Sequence, residues 1–76
     1  METSLDCLQI GRRARIKRVA GGIGFQRKLA LLNLRVGKGI KKIAQQPFRG
    51  PIVIEIDNTQ VTIGRGMANR IIVELI

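Results

Sequence analysis

Residues 21–37 read GGIGFQRKLALLNLRVG, and this stretch predicts one short helix in a chain whose other segments alternate like β-strands. Leu29 and Leu32 would share one face of a helix from about Phe25 to Leu32, because they are three residues apart. Asn33 can adopt the left-handed conformation that ends helices. A helix of about two or three turns is not stable alone in water. We therefore expect Leu29 and Leu32 to plug a small curled sheet.

The clearest strand is Pro51–Asp57, where Ile52, Ile54 and Ile56 would face one side of a sheet. The turn Asp57-Asn58-Thr59 suits a tight hairpin, since Asp and Asn tolerate the backbone angles that hairpins require. Before the hairpin we expect a capped turn at Ser4–Leu8, a strand at Arg13–Val19 with a bulge at Lys17–Arg18, a strand at Ile40–Gln45 with Ile40 and Ile43 inward, and a loop at Pro47–Pro51. After the hairpin turn we expect a strand at Val61–Ile63, one helical turn at Arg65–Asn69 and a last strand at Ile71–Leu75.

The chain of 76 residues contains no repeat or linker, so residues 1–76 are expected to form a single domain. A mainly β fold follows from these elements: a small SH3-like barrel of about five strands with one short α-helix. Cys7 stands alone, which excludes an internal disulfide and favours a reducing, cytoplasmic location. We expect its side chain to be buried among leucines. No apolar run is long enough to span a membrane.

The positive charge is unevenly distributed along the chain. Residues 11–49 carry 12 of the 14 Lys and Arg residues and no acidic residue, and the formal net charge is +9. Such a block favours a polyanionic or acidic partner, namely nucleic acid, anionic lipid headgroups or an acidic protein surface. Charge alone does not choose among these partners, and a basic surface that serves only solubility is the alternative.

An ordered set of residues from Leu5 to Val73 resembles the FeoA family, the ferrous iron transport protein A. The residues that carry the resemblance are Leu5, Leu8, Gly11, Ile16, Gly21-Gly22, Arg27-Lys28-Leu29, Leu32-Asn33-Leu34, Gly37, Ile40, Pro47, Gly50-Pro51, Val61–Arg65, Ala68, Ile71 and Val73. The chain departs from the family pattern at Asn33, where many members have Gly, and at Val36, where Pro is frequent.

The resemblance implies an SH3-like barrel that acts as a cytosolic accessory to FeoB, the membrane ferrous iron transporter with a GTP-binding cytosolic domain. It also implies a relationship to the barrel found at the C-terminus of iron-dependent transcriptional repressors. In that case the protein regulates ferrous iron uptake by protein–protein interaction. A weak transition-metal-binding regulatory domain is an alternative.

The residues do not indicate an enzyme or a cofactor. The chain has no His, and nothing in the sequence pairs Cys7 with a base. Gly21-Gly22-Ile23-Gly24 lacks the Gly-Lys-Ser/Thr of a phosphate loop. Glu55, Asp57 and Glu74 could supply oxygen ligands to a cation, but a solvated strand face explains them better, and we predict no metal site.

Six basic residues near the helix and the following strand are the predicted partner-binding residues. They are Arg27, Lys28, Arg35, Lys38, Lys41 and Lys42. We expect this surface to contact the cytosolic region of FeoB, with help from an anionic membrane surface. A basic nucleic-acid-binding module is the alternative, disfavoured because Phe25 and Phe48 are the only aromatics and are expected in core or loop packing. Apolar residues on both faces of Ile71–Ile76 leave self-association open.

Overall fold

A computed structural model describes residues 1–76. Six strands, two α-helices and one 3₁₀ turn follow one another as β1 (Glu2–Ser4), the 3₁₀ turn (Leu5–Cys7), β2 (Arg13–Val19), α1 (Ile23–Leu31), β3 (Gly39–Gln45), β4 (Ile52–Ile56), β5 (Thr59–Ile63), α2 (Arg65–Ala68) and β6 (Ile71–Leu75). Neither helix has the length and apolar character needed to cross a bilayer.

The strands form one antiparallel sheet in the order β1-β6-β2-β3-β4-β5. The two end strands, β1 and β5, are not hydrogen-bonded to each other, so the barrel-like sheet stays open along this seam. The mainly β, SH3-like fold class is confirmed. The sequence pattern missed β1 because Glu2–Ser4 is short and is held by its register with β6, where Thr3 lies opposite Val73. The Ser4 side chain makes no capping hydrogen bond to the turn that follows it.

The hairpin β4–β5 agrees with the prediction. Ile52, Ile54 and Ile56 are buried, and the intervening residues of β4 are half-exposed. The two turn residues Asp57 and Asn58 have φ angles of 52° and 62°, the left-handed pair that a two-residue hairpin requires. This turn fixes the register of β4 against β5 and directs the three isoleucines into the core.

The end of α1 differs from the prediction that Leu29 and Leu32 both pack in the core. Leu29 is fully buried, but Leu32 is 36% exposed and Leu34, at 2%, occupies the second core position. The helix ends at Leu31, and Asn33 turns the chain with a φ of 67°. The Asn33 N–H then donates to the Ala30 carbonyl and the Leu34 N–H donates to the Leu29 carbonyl. These two hydrogen bonds turn the chain back toward the helix, so that Leu34 is buried in the core with Leu29 and Leu32 is left partly exposed.

Two bulges bend the strands of the sheet. The predicted bulge in β2 is confirmed between Ile16 and Arg18. A second register shift, between Lys42 and Ala44 in β3, was not predicted. The shift comes after Lys42, which lies two residues beyond Ile40 on the same inward face and is fully buried, while Ile43 points to the other face and is only partly buried. The expected inward position of Ile43 is therefore wrong.

Two further positions differ from the sequence interpretation. Cys7 is exposed, although its leucine neighbours predicted burial. Phe48 is 99% exposed at the tip of the loop between β3 and β4, so it does not pack in the core. The last strand, β6, lies between β1 and β2; self-association through the apolar residues on its two faces stays a prediction.

Candidate protein-docking surface

Helix α1 and the residues after it present free positive charge. Arg27 and Lys28 are exposed on α1, and Arg35 is exposed in the connection to β3. None of these three side chains makes an ion pair or a hydrogen bond within the chain. They are the predicted partner-binding residues that the structure leaves available for intermolecular contact.

Lys42 is not part of this surface, and its predicted exposure is wrong. Its ammonium group is buried and donates to the Asp6 carbonyl at 2.9 Å, the Leu8 carbonyl at 2.7 Å and Gln45 Oε1 at 2.7 Å. Burial, followed by the nearby positive charge of Arg65, lowers the pKa of Lys42 below its usual value. Lys42 lies two residues after the buried Ile40, so strand alternation directs its side chain inward, where these hydrogen bonds hold the N-terminal segment against the sheet.

Lys38 and Lys41 are half-buried, and Lys38 has a side-chain partner. Lys38 Nζ lies 2.7 Å from Asp57 Oδ2, and the Asn33 amide donates to the same oxygen. The hydrogen bond from Lys38 is the main reason that the pKa of Asp57 is lowered. Lys41 lies on β3 between Arg13 of β2 and Glu55 of β4. The six predicted residues therefore form no single surface, and only three of them belong to the free patch beside α1.

Exposed apolar side chains accompany the free charges. Ile23, Leu31 and Val36 are 69%, 88% and 65% exposed. A cleft of about 410 Å³ is lined by residues of β2, of α1 and of the α1–β3 connection, among them Val19, Ala30, Leu34, Arg18 and Arg35. We call Ile23, Arg27, Lys28, Leu31, Arg35 and Val36 the α1 surface. Side chains of this mixed kind occur where one protein contacts another.

Sequence reasoning missed the apolar part of this surface for a specific reason. Leu29 and Leu32 were expected to face the core, and no outward position was assigned to Ile23 or Leu31, yet α1 buries only Leu29. Ile23 and Leu31 are eight residues apart and lie close to one line along the helix, on which Arg27 is the middle residue. This spacing was the signal that could have indicated an apolar and basic stripe facing outward.

The carboxylates do not converge on a cation site. The structure contains no group of three or more His, Cys, Asp or Glu side chains that could hold a metal ion. Glu74 is on β6 and forms an ion pair with Lys17 at 3.7 Å, whereas Asp57 follows β4 and is paired with Lys38. Strands β2 and β3 separate β6 from β4, so Glu74 does not lie beside Glu55 and Asp57.

The fold is that of a small SH3-like domain, and the α1 surface is its candidate contact surface. In a comparison with protein families, residues 3–75 of the chain match the FeoA domain. The chain belongs to the FeoA family of ferrous iron transport accessory proteins. A Methanocaldococcus jannaschii relative named as an Fe(2+) transport protein A is 31% identical over 64 residues, which cover 84% of this chain and 76% of the relative.

Solved structures show the same fold. The crystal structure of an iron uptake regulatory protein, FeoA, superposes with a TM-score of 0.91 at 26% identity, covering 100% of this chain and 99% of that one. The solution structure of iron(II) transport protein A from Clostridium thermocellum superposes with a TM-score of 0.91 at 31% identity, covering 97% of this chain and 46% of that one. A manganese-dependent transcriptional repressor shares the fold at 21% identity, with a TM-score of 0.89 and coverage of 99% and 42%.

Proposed function

We propose that this chain regulates ferrous iron uptake in the cytoplasm by binding the cytosolic region of a FeoB-type transporter, and that it catalyses no reaction. The observation that carries the proposal is the α1 surface. Three cations without internal partners lie on or next to a short helix whose apolar side chains Ile23 and Leu31 face solvent. Membership of the FeoA family indicates that the process in which this surface would act is ferrous iron uptake.

The α1 surface has the two properties that protein recognition uses. Exposed apolar side chains provide area that can be removed from water, at about 25 cal/mol per Å². Arg27, Lys28 and Arg35 would attract an acidic partner and orient it during encounter. Near an anionic membrane, each such cation would add about 1 kcal/mol to the attraction. An acidic region of the transporter close to the membrane therefore fits this surface.

A nucleic-acid-binding role is a second candidate, and one observation favours it. Phe48 is 99% exposed next to Arg49, so an aromatic ring is available for base stacking, contrary to the sequence prediction. Arg13, Arg15 and Lys17 also share the exposed face of β2. Binding of this kind would weaken steeply as salt concentration rises. A mobility-shift assay with short single-stranded and duplex DNA at low salt tests it, and the absence of a shift removes this candidate.

Chemical-shift mapping tests the preferred proposal at residue level. The ¹⁵N-labelled chain is titrated with the purified cytosolic region of the FeoB-type transporter. We expect the largest amide shifts in α1 and in the connection that follows it, because these segments carry the free cations. Shifts confined to β2 or to the loop around Phe48 would contradict docking through the α1 surface. If an excess of the transporter region shifts no amide signal of the labelled chain, the proposed binding of the two proteins is contradicted.

A further inference from the structure

Strand β5 is an unprotected edge of the sheet. It pairs with β4 through five consecutive residue pairs without a register shift, and nothing pairs with its other side. Its sequence, Thr59-Gln60-Val61-Thr62-Ile63, contains no charge and no proline, although the chain carries 14 Lys and Arg residues. Proteins usually guard such edges with lysine, proline or a bulge.

The opposite edge of the sheet is guarded. Strand β1 has only three residues, and its Glu2 carboxylate lies 3.4 Å from the guanidinium of Arg18. A short edge with a charged side chain pairs poorly with another strand. The lack of protection is therefore specific to β5 and is not a general property of this small sheet.

The hairpin geometry determines which groups of β5 are free. In a two-residue hairpin, the residues that flank the turn exchange both of their hydrogen bonds. Ile56 and Thr59 flank this turn, so Thr59, Val61 and Ile63 bond to β4. Gln60 and Thr62 alternate with them and direct their N–H and C=O groups outward. The free edge thus offers two donors and two acceptors.

Apolar side chains lie beside this edge. A cleft of about 310 Å³ is lined by residues that include Leu31, Leu32, Ile56, Thr59 and Val61. Leu31 is the most exposed leucine of the chain, at 88%. Thr59 and Val61 line the cleft, so the cleft lies on the face of β5 to which their side chains point. Side chains of an added strand that point to this face would come next to the cleft.

We propose that β5 pairs antiparallel with β5 of a second copy of this chain, with Val61 on the two-fold axis. Gln60 of each copy then lies opposite Thr62 of the other and exchanges two main-chain hydrogen bonds with it, giving four in total. The two Val61 side chains meet as a non-hydrogen-bonded pair beside the leucines. This dimer would join two six-stranded sheets into one continuous sheet.

The uncharged and symmetric edge makes a second copy a suitable occupant. Each copy carries a formal charge of +9, so most surfaces of two copies repel each other. The β5 strand itself carries no charged side chain and is self-complementary, because Gln60 and Thr62 on either side of Val61 are both uncharged and polar. The proposal does not rest on the proposed function, although Leu31 of the α1 surface lies beside this edge.

Sedimentation equilibrium of the full chain between about 10 μM and 1 mM tests this dimer, because interfaces of this small size are weak. We expect the average mass to approach that of a dimer at the highest concentration and to rise further when salt screens the net charge. Thr62→Lys, which places two ammonium groups at the paired edges, should raise the dissociation constant at least tenfold. Gln46→Lys adds the same charge at an exposed loop position and should change it less than threefold.

A disulfide test reports the register independently. In a Cys7→Ser background, Val61→Cys should form a cross-linked dimer under mild oxidation, because facing Cα atoms in a non-hydrogen-bonded pair are about 4.5 Å apart. Gln60→Cys should not cross-link, since its opposite residue is Thr62. A chain that stays monomeric at every concentration overturns the proposal, even if β5 accepts an extended segment of another protein. A dimer that is unaffected by Thr62→Lys overturns it as well.

Discussion

The ammonium nitrogen of Lys42 lies 2.7 Å from the main-chain carbonyl oxygen of Leu8. Two further acceptors, the Asp6 carbonyl and Gln45 Oε1, complete its hydrogen bonding. A buried lysine with three acceptors holds the N-terminal turn against β3 in a domain that has only 14 buried hydrophobic residues. The ammonium group thus stabilises the fold, although the sequence indicated a solvent-exposed cation at this position.

Replacing Lys42 with Met should destabilise the domain. The substitution keeps the length of the side chain but removes the donors to the two carbonyls and to Gln45. We expect the free energy of unfolding to fall by about 2 kcal/mol, since buried acceptors lose a charged donor. Urea denaturation followed by circular dichroism measures it. Lys41→Met, at the half-exposed neighbouring position, should change it by less than about 0.5 kcal/mol, and equal effects of the two variants would refute the assignment.

The two leucines first expected to plug the sheet should behave differently. Leu29→Ala removes a fully buried side chain and should cost about 3 kcal/mol of unfolding free energy. Leu32→Ala, at a position 36% exposed, should cost less than about 1 kcal/mol. Thermal and urea unfolding of both variants provide the comparison. A larger loss for Leu32→Ala would mean that α1 packs on the sheet through its other side.

Asn33 ends α1 in a left-handed conformation with a φ of 67°, and its amide donates to Asp57. Asn33→Ala should therefore destabilise the domain by about 1 kcal/mol, because a Cβ without a polar group disfavours this conformation. Asn33→Gly relieves the backbone while losing the amide, so we expect a change smaller than about 0.5 kcal/mol. Urea titrations of the two variants measure the difference, and identical losses would show that the amide contact dominates.

The ion pair between Lys38 and Asp57 should give the domain an acid-sensitive component of stability. The pKa of Asp57 is lowered from 3.8 mainly by the hydrogen bond from Lys38. Because the folded form binds the proton less readily than the unfolded chain does, this component is complete above the unfolded pKa. It is lost as the pH falls through the lower folded value. Urea unfolding between about pH 5 and pH 2 measures the decline.

Lys38→Met provides the control for this pH dependence. It removes the principal cause of the lowered pKa, so the decline of stability at acid pH should become shallower. The other carboxylates contribute equally to both proteins, and the difference between the two curves isolates the pair. Curves of the same steepness would show that Lys38 does not lower the pKa of Asp57 in solution.

Much of the fold was predictable because local rules and burial agree. The alternation of Ile52, Ile54 and Ile56 and the turn at Asp57-Asn58 predicted the hairpin that the structure contains. The short strand β1 was not predictable, since three residues carry too little pattern and depend on the distant strand β6. The position of Lys42 was missed because the apolar Ile40 and Ile43 were both assigned inward, whereas strand alternation from Ile40 places Lys42 inward and the register shift follows only after it.

The candidate site was predictable only in part. The concentration of positive charge in residues 11–49 indicated an acidic partner, and Arg27, Lys28 and Arg35 are indeed free in the structure. Charge spacing did not reveal that Lys38 pairs with Asp57 across the fold. Nor did it show that Leu31 would stay outside, because a leucine in a short helix suggests a core position until the end of the helix is located.

The affinity of this chain for the cytosolic region of a FeoB-type transporter tests the central claim most directly. Isothermal titration calorimetry would compare the unmodified chain with Arg27→Glu/Lys28→Glu and with Arg13→Glu/Arg15→Glu, which reverses the same charge on β2. We predict that the α1 variant loses at least tenfold in affinity while the β2 variant changes less than threefold. Unchanged binding of the α1 variant, with its fold verified by circular dichroism, would contradict the account.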